Sequence, residues 1–194
     1  MQALNLKPDE YVMVDLMSAC SQLGSLELAK WIKSYMSDGS FDLTRAHVAS
    51  ALVDMNTKCG NMERVAIIFE KMPQRNLISF CSMMQGLCIH GRGAQAVLMF
   101  DRMIEERLRP DDVAFTIILA ACSHAGLADD GCHFFDLMTR EYFISPSADY
   151  YACMVNLLGK AGKLEAAFEL IRLMLKRTLV LGVLFLRRVG YTVI

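Results

Sequence analysis

The chain has few residues that would break or cross-link its backbone. Its 194 residues include only 4 prolines and 12 glycines, which favours long regular elements over a loop-rich fold. The 7 cysteines are odd in number and show no CxxC spacing, which indicates small buried thiols and not a disulfide framework. The longest strongly apolar run, Leu179 to Leu186, is far shorter than the roughly 20 residues that span a bilayer. We therefore expect no membrane span and no disulfide scaffold.

The chain also lacks an excess of charge of either sign, since its formal net charge is -1 and its sequence pI is near 6.4. A non-specific nucleic-acid binder needs a basic stripe that neutralises phosphates, and no such excess is present. Recognition through base edges remains open, because neutral polar side chains suffice for it. Hydrophobic residues make up 54% of the chain, which is enough for a continuous core and argues against disorder.

Catalytic signatures are absent as well. A zinc deaminase needs His-x-Glu followed by Pro-Cys-x-x-Cys, and neither half occurs. His90, His124 and His133 lie near cysteines, but their spacing does not supply four converging ligands. The segment 91–93, Gly-Arg-Gly, is too short for a phosphate loop and is expected to join two helices. We predict no catalytic residue, no metal and no cofactor, and hence no enzyme.

What is present is an internal repeat, found by comparing the sequence with itself. Residues 7–9 (Lys-Pro-Asp) and 109–111 (Arg-Pro-Asp) precede similar helical segments at 13–24 and 116–127. Two further apolar segments end at Lys-Cys-Gly (58–60) and Lys-Ala-Gly (160–162). The same sequence pattern thus occurs four times.

Each copy is predicted to contain two helices. A glycine suited to the left-handed conformation closes the first helix, at positions 24, 60, 126 and 162. The second helices are predicted at 26–36, 62–72, 95–106, 129–140 and 164–175, with Ala29, Ala66, Ala96 and Ala166 allowing close helix approach. Because one such pair cannot bury its apolar face alone, the pairs should stack. The predicted fold is all-α, an α-α superhelix formed as a right-handed solenoid of helix-turn-helix repeats.

Several strings resemble plant pentatricopeptide repeats of the mixed-length class. They are Leu-Met-Ser-Ala-Cys-Ser-Gln-Leu-Gly (16–24), Lys-Met-Pro-Gln-Arg-Asn (71–76), Ala-Cys-Ser-His-Ala-Gly-Leu (121–127) and Met-Val-Asn-Leu-Leu-Gly-Lys-Ala-Gly (154–162). The resemblance implies the end of a repeat at 1–9, long units at 10–45 and 112–148, a short unit at 46–76, a further unit at 77–111, and a partial unit at 149–175. The order is similar to the C-terminal part of an editing-type array.

The resemblance implies that each unit reads one RNA base with its fifth and last residues. The base-reading residues are then Ser50 with Asn76, for which the family implies adenine, and Cys81 with Asp111, where Cys81 departs from the usual Asn, Ser or Thr. Weaker candidates from the long units are Val14 with Arg45 and Thr116 with Ala148. The second residue of each unit would pack against a base face: Tyr11, His47, Ile78, Val113 and Tyr150.

The implied function is sequence-selective binding of single-stranded organellar RNA in a mitochondrion or chloroplast, specifying a C-to-U editing site. Editing-complex proteins or a deaminase-domain partner would supply the chemistry. A helical scaffold for protein–protein contacts and a non-functional truncated fragment are the alternatives. Helix capping is the competing interpretation for Asp9 and Asp111, but not for Ser50, which should lie inside a helix.

The tail at 176–194 departs from the family pattern. A continuing member of the family would give Met-Pro after the last helix and then a segment that contains proline and tryptophan. The sequence reads instead as an apolar stretch between two basic pairs. We interpret this as a truncated or frame-shifted gene product, which sequencing of the transcript across Leu173 would test.

Overall fold

The computed structural model describes residues 8–37 and 45–188, with side chains for all of these except 37, 46 and 177–188. Every element in these ranges is helical, which confirms the predicted all-α class. The helices are α1 (Glu10–Leu23), α2 (Leu26–Ser37), α3 (Ala46–Lys58), α4 (Met62–Lys71), α5 (Leu77–Ile89), α6 (Gly93–Glu105), α7 (Asp112–Ala125), α8 (Ala128–Arg140), α9 (Ala148–Lys160) and α10 (Leu164–Arg188).

The helices form antiparallel pairs that stack along one direction. Each odd-numbered helix, from α1 to α9, packs against the next odd-numbered helix, while consecutive even-numbered helices make few contacts with each other in the described ranges. Close stacking on one side and wider spacing on the other curves the array, so the odd-numbered helices line its inner side. This confirms the predicted α-α solenoid.

Aromatic side chains from neighbouring pairs fill the core of the stack. Phe69 of α4 meets Phe80 of α5 edge-on, with ring centroids 4.9 Å apart. Phe100 of α6 lies 5.3 Å from Phe115 of α7 and 4.9 Å from Phe134 of α8. Each of these rings is almost fully buried. The second helix of one pair thus packs through apolar contacts against the first helix of the next pair, which makes the stacking continuous.

Glycine closes the first helices as predicted. Gly24 ends α1 with φ 61° and Gly126 ends α7 with φ 72°, both in the left-handed region that a side chain would disfavour. Positive φ angles also occur at 60, 91 and 162. The cysteines are free, and five of the seven are buried, in agreement with the expected small apolar thiols.

Of the alanines predicted at the helix contacts, some lie one residue away from the position that is buried. Ala96 is fully buried as expected, but Ala66 is only half-buried and Ala166 is exposed. The buried positions are those of Val65 and Ala167, each one residue away from the predicted alanine. The reason is that the contact position lies at a fixed distance after the glycine that closes the first helix, and alanine does not always occupy it.

The last helix is longer than predicted. It was expected to end at Leu175, but α10 continues to Arg188 and covers part of the divergent tail. Residues 176–188 contain no proline and are rich in leucine, so nothing local ends the helix. Within the described ranges, no helix combines enough length and apolar character to cross a bilayer. The predicted segment 1–9 and the tail lie partly outside the described residues.

Candidate nucleic-acid interface

A cavity of about 550 Å³ opens on the inner side of the solenoid between α1, α3 and α5. Its lining includes both members of the predicted base-reading pair, Ser50 and Asn76. The complete lining is Val14, Ser18, His47, Ser50, Ala51, Asp54, Asn76, Ile78 and Ser82. Residues from three successive units therefore meet at one site, and their side chains present hydroxyl, amide and carboxylate groups.

Ser50 lies in the first half of α3 (Ala46–Lys58) and is buried between the neighbouring first helices, with 6% of its surface exposed. Its Oγ has no hydrogen-bond partner in the described part of the chain. A buried hydroxyl without a partner costs roughly 1–3 kcal/mol, and native proteins avoid this arrangement where they can. Ser50 thus lines the cavity with a hydroxyl that is buried and unpaired, and it caps no helix.

Asn76 has two roles. Its Oδ1 accepts a hydrogen bond from the Ser79 backbone N at 2.9 Å, and its own backbone N donates to Ser79 Oγ at 3.1 Å. These two bonds form a capping box that begins α5. The Nδ2 amide group donates to no described residue, so its N–H groups remain available to a ligand in the cavity. The sequence pattern indicated caps only at Asp9 and Asp111, and the cap at Asn76 is visible only in the structure.

The second predicted pair, Cys81 and Asp111, has a different environment. Burial, and to a smaller extent the charge of Asp111, raises the pKa of the Cys81 thiol to about 12. Cys81 is therefore a neutral, weak donor at physiological pH. Asp111 caps α7, because its Oδ1 accepts from Ala114 N at 2.9 Å. Asp9 caps α1 in the same way through Val12 N, so capping is confirmed for both aspartates.

In the first long unit, Val14 lines the cavity, whereas Arg45 forms an ion pair with Glu10. The Arg45 guanidinium lies 2.9 Å from the Glu10 carboxylate, and His47 Nε2 lies 2.6 Å from the other oxygen of Glu10. Arg45 also precedes α3 without a side-chain capping bond. The structure therefore ties Arg45 to α1 and does not direct it towards Val14.

The last predicted pair is displaced by one residue. Ala148 is the first residue of α9, and Ser147 occupies the N-cap position that Arg45, Asn76 and Asp111 hold in the earlier units. The unit that starts with α7 is thus one residue shorter than the predicted 112–148. Ala148 also has no polar side chain with which to read a base edge. Ala148 thus lies inside α9, and Ser147 holds the position that precedes the helix.

The same displacement changes the role of Tyr150. The Tyr150 hydroxyl donates to Asp112 O at 2.6 Å and lies 3.0 Å from Thr116 Oγ1, which is itself 2.8 Å from Asp112 O. Tyr150 is buried, so it cannot cover a base face. Its contact with Thr116 joins α9 to α7. Asp149 is exposed and is the second residue of α9, the position that Tyr11, His47, Ile78 and Val113 hold in the other first helices.

The other predicted face-packing residues form an exposed row on the first helices: Tyr11, His47, Ile78 and Val113. The rings of Tyr11 and His47 are nearly parallel, with an angle of 19° and centroids 6.1 Å apart. His47 and Ile78 border the cavity directly. The row therefore provides flat or apolar surfaces beside the polar groups of Ser50 and Asn76.

Asp54 is a site residue that sequence analysis missed. It lies one helical turn after Ser50 on the same face of α3, and its Oδ2 accepts hydrogen bonds from Ser21 Oγ and from Lys58 Nζ, the latter at 3.2 Å. Four-residue spacing from Ser50 was a usable signal, but the relevance of that face became clear only from the packing of α1 and α5 around it.

No group of three or more His, Cys, Asp or Glu side chains is placed to hold a metal ion within residues 8–37 and 45–188. His90 follows the end of α5, His133 lies on the exposed side of α8, and His124 Nδ1 lies 3.5 Å from Cys88 Sγ. None of these three histidines lines the cavity.

The sequence is similar to those of known repeat families and repeat proteins. The PPR repeat model matches residues 48–77, 113–143 and 150–179, and the PPR repeat family model matches 75–124. A putative pentatricopeptide repeat-containing protein of Arabidopsis thaliana is 49% identical over 174 residues, which are 90% of this chain and 32% of the relative. The chloroplastic protein ELI1 of the same plant is 38% identical over 86% of this chain and 26% of its own length.

Solved structures of low identity share the fold. The chain of PPR10 in complex with an 18-nt psaJ RNA element aligns with a TM-score of 0.66 at 18% identity, over 87% of this chain and 25% of PPR10. Nuclear proteinaceous RNase P 2 of A. thaliana aligns with a TM-score of 0.65 at 13% identity, over 84% of this chain and 37% of that protein. The present chain spans about a third of the first curated relative, at 32% of its length. By repeat pattern, fold and relatives, the chain belongs to the pentatricopeptide repeat family.

Proposed function

We propose that the chain binds single-stranded RNA along its row of first helices and reads one base in the cavity between α1, α3 and α5. The observation that carries this proposal is the Ser50 hydroxyl, which is buried at the cavity wall without a hydrogen-bond partner. A bound base edge would satisfy this group, and the ligand-free chain bears the cost of leaving it unsatisfied.

The chemistry of the cavity suits a base that offers both donors and acceptors. Ser50 can donate or accept, and the free amide N–H groups of Asn76 can donate to a ring nitrogen. His47 and Ile78 flank these groups with surfaces on which a base can stack. Such reading needs an unpaired, unstacked base, so the ligand is single-stranded. The family pairing of Ser with Asn supports adenine as the base for this unit.

The charge distribution supports base reading over phosphate binding. The net charge is -1, so binding should depend on salt far less than it does for a protein that neutralises many phosphates. Cys81 with Asp111 would contribute a second, weaker position through the Asp111 carboxylate, which favours a base with a donor. Val14, Arg45, Thr116 and Ala148 offer little for base-edge recognition in their observed environments.

In the whole protein, we propose that this region belongs to a mixed-length repeat array that specifies a C-to-U editing site in a mitochondrion or chloroplast. The description of PPR10 as an RNA complex and the chloroplastic designation of ELI1 support RNA as ligand and an organelle as location. A deaminase domain elsewhere in the protein, or a partner of the editing complex, would perform the chemistry.

The test is a fluorescence-anisotropy titration of the chain with matched pools of single-stranded RNA and DNA. Ser50→Ala removes the free hydroxyl, while Asn76→Asp keeps the oxygen that caps α5 and replaces the amide donors. Both variants should weaken binding of adenine-containing RNA and reduce its preference over other RNA. Ser34→Ala, an exposed change on α2, is the matched control and should leave binding unchanged.

Circular dichroism of each variant establishes that the helices are intact before binding is compared. The proposal fails if the folded wild-type chain binds no RNA, or if Ser50→Ala and Asn76→Asp bind every pool as the wild type does. Use of Asn76→Asp avoids the loss of helix stability that Asn76→Ala would introduce through the cap.

A second candidate function, a scaffold for protein contacts, is favoured by a row of exposed apolar side chains on the outer helices. Trp31, Ile67 and Leu98 lie on α2, α4 and α6, each seven residues after the glycine that closes the preceding helix. Binding to an isolated editing-complex deaminase domain would discriminate the two candidates. Ile67→Lys should abolish such binding and leave RNA affinity unchanged, whereas Ser50→Ala should do the reverse.

A further inference from the structure

The inner face of α3 carries a sequence of chemically distinct groups along the helix axis. His47 and Ser50 lie towards its first turn, Asp54 one turn later and Lys58 in the last turn. Because these residues recur at steps of three or four, their side chains share one face. Aromatic surface, hydroxyl, carboxylate and ammonium therefore follow one another along a single helix.

A nucleotide presents its parts in a related order, from base to ribose to phosphate. If the base edge lies at Ser50, the ribose is carried away from the base and along the helix, and Asp54 is the next polar group in that direction. The Asp54 side chain is 28% exposed and lines the same cavity as Ser50 and Asn76. It is therefore within the space that the nucleotide would occupy.

The bonding of Asp54 leaves one oxygen free. Both Ser21 Oγ and Lys58 Nζ bond to Oδ2, while Oδ1 has no hydrogen-bond partner in the described part of the chain. The two donors fix the orientation of the carboxylate, and the Lys58 ammonium offsets its charge, so that a phosphate nearby is repelled less. A fixed carboxylate oxygen at a cavity wall can only accept a hydrogen bond.

We propose that Asp54 accepts a hydrogen bond from the 2′-hydroxyl of the ribose whose base is held by Ser50 and Asn76, and so selects RNA over DNA at this unit. The inference rests on the proposed function. Among the groups of a nucleotide, the 2′-hydroxyl is the one that distinguishes RNA from DNA. Equivalent positions in the other described first helices hold Ser18, Gln85, Ala120 and Asn156, so among these five helices only α3 carries an acid there.

The experiment measures the ratio of the dissociation constants for oligodeoxyadenylate and oligoriboadenylate of equal length, in the wild type and in Asp54→Ala. A hydrogen bond to a charged group predicts a wild-type preference for RNA of roughly tenfold. In Asp54→Ala this ratio should fall towards one through weaker RNA binding. Ser21→Ala, which removes a donor to Asp54 but keeps the carboxylate, should retain most of the preference.

Asp54→Ala leaves the buried Ser21 hydroxyl without its acceptor and could lower stability. The double variant Ser21→Ala/Asp54→Ala removes both partners and provides the same measurement in a chain without that defect. A third probe, an oligomer of purine riboside that lacks the exocyclic amine of adenosine, tests whether Asp54 reads the base instead.

The outcomes separate the two proposals. If RNA binds through Ser50 and Asn76 but the RNA-to-DNA ratio is the same with and without Asp54, the inference about the ribose is overturned and base reading stands. Loss of discrimination against purine riboside in Asp54→Ala, with the RNA-to-DNA ratio unchanged, overturns it as well. If the folded wild type binds neither oligomer, both proposals fail.

Discussion

Gly131 of α8 lies so close to Leu157 of α9 that a Cβ added to the glycine would overlap Leu157 Cδ2. This contact joins the second helix of one pair to the first helix of the next, at the position that Ala96 and Ala167 hold in their own units. Gly131 is buried in α8, so its lack of a side chain matters for packing and not for backbone conformation.

Overpacking by Gly131→Ala should lower the free energy of unfolding by roughly 1–3 kcal/mol, and the helix propensity of alanine should offset up to about 1 kcal/mol of that loss. Gly159→Ala is the matched control, because a Cβ at this helical glycine of α9 meets nothing within 4 Å. It should raise stability by about 0.5–1 kcal/mol through helix propensity. Urea denaturation followed by circular dichroism measures both. Equal effects of the two changes would contradict the close approach of α8 and α9.

Ser50→Ala should separate stability from binding. Removal of a buried hydroxyl without a partner relieves a desolvation cost, so the free energy of unfolding should stay constant or rise by about 1 kcal/mol. Affinity for adenine-containing RNA should fall in the same variant. Thermal unfolding and anisotropy titration provide the two measurements.

The control for Ser50 is Ser79→Ala, since Ser79 is also buried but its Oγ accepts from Asn76 N in the capping box of α5. This variant should lose about 1 kcal/mol of stability. Marked destabilisation by Ser50→Ala would mean that its hydroxyl has a structural partner, and would remove the main support for the proposed site.

Tyr11 and Tyr150 were both predicted to cover base faces, but they should respond in opposite ways. Tyr11 is 71% exposed beside His47, so Tyr11→Ala should weaken RNA binding by roughly 1–3 kcal/mol and leave the melting temperature unchanged. Tyr150→Phe removes the bond to Asp112 O and should cost about 1 kcal/mol of stability without changing affinity. Anisotropy and thermal melts check each variant, and loss of RNA affinity in Tyr150→Phe would contradict the assignment.

Glu70 of α4 forms ion pairs with Arg75 and with Arg102 of α6, and these pairs predict a dependence of stability on pH. Hydrogen bonding by Arg102 and the charges of Arg102 and Arg75 lower the pKa of the Glu70 carboxyl, although burial opposes this. A carboxyl whose pKa is lower in the folded than in the unfolded state stabilises the fold at pH values above its unfolded-state pKa. That contribution is lost as the pH falls through the lowered pKa.

Glu70→Gln should therefore flatten the decline of stability between about pH 5 and pH 3, the range in which glutamate titrates. The effect should be small, because about half of the Glu70 side chain is exposed and solvent screens the pair. Ser34→Ala, an exposed change on α2 that alters no ionisable group, is the control and should leave the pH profile as it is. Unfolding curves at several pH values provide the measurement, and identical profiles for all three proteins would contradict the role of Glu70.

The sequence by itself determined the local structure of the chain. Gly24 and Gly126 marked the ends of first helices because only glycine adopts the left-handed conformation at low cost, and Asp9 and Asp111 marked the starts because a carboxylate satisfies free backbone N–H groups. These effects act over three or four residues, so they can be identified in a single copy. Repetition of the copies then predicted the stacked solenoid.

Tertiary structure alone decided which polar groups lack partners. That Ser50 has none, whereas Thr116 lies against Tyr150, depends on residues of neighbouring helices that are more than thirty positions away in sequence. The one-residue shift before α9 likewise became visible only where the helix begins. Asp54 became a candidate because α1 and α5 pack on either side of α3 and enclose its inner face. Periodicity identifies the face of a helix, but the neighbours that desolvate that face are fixed only by packing.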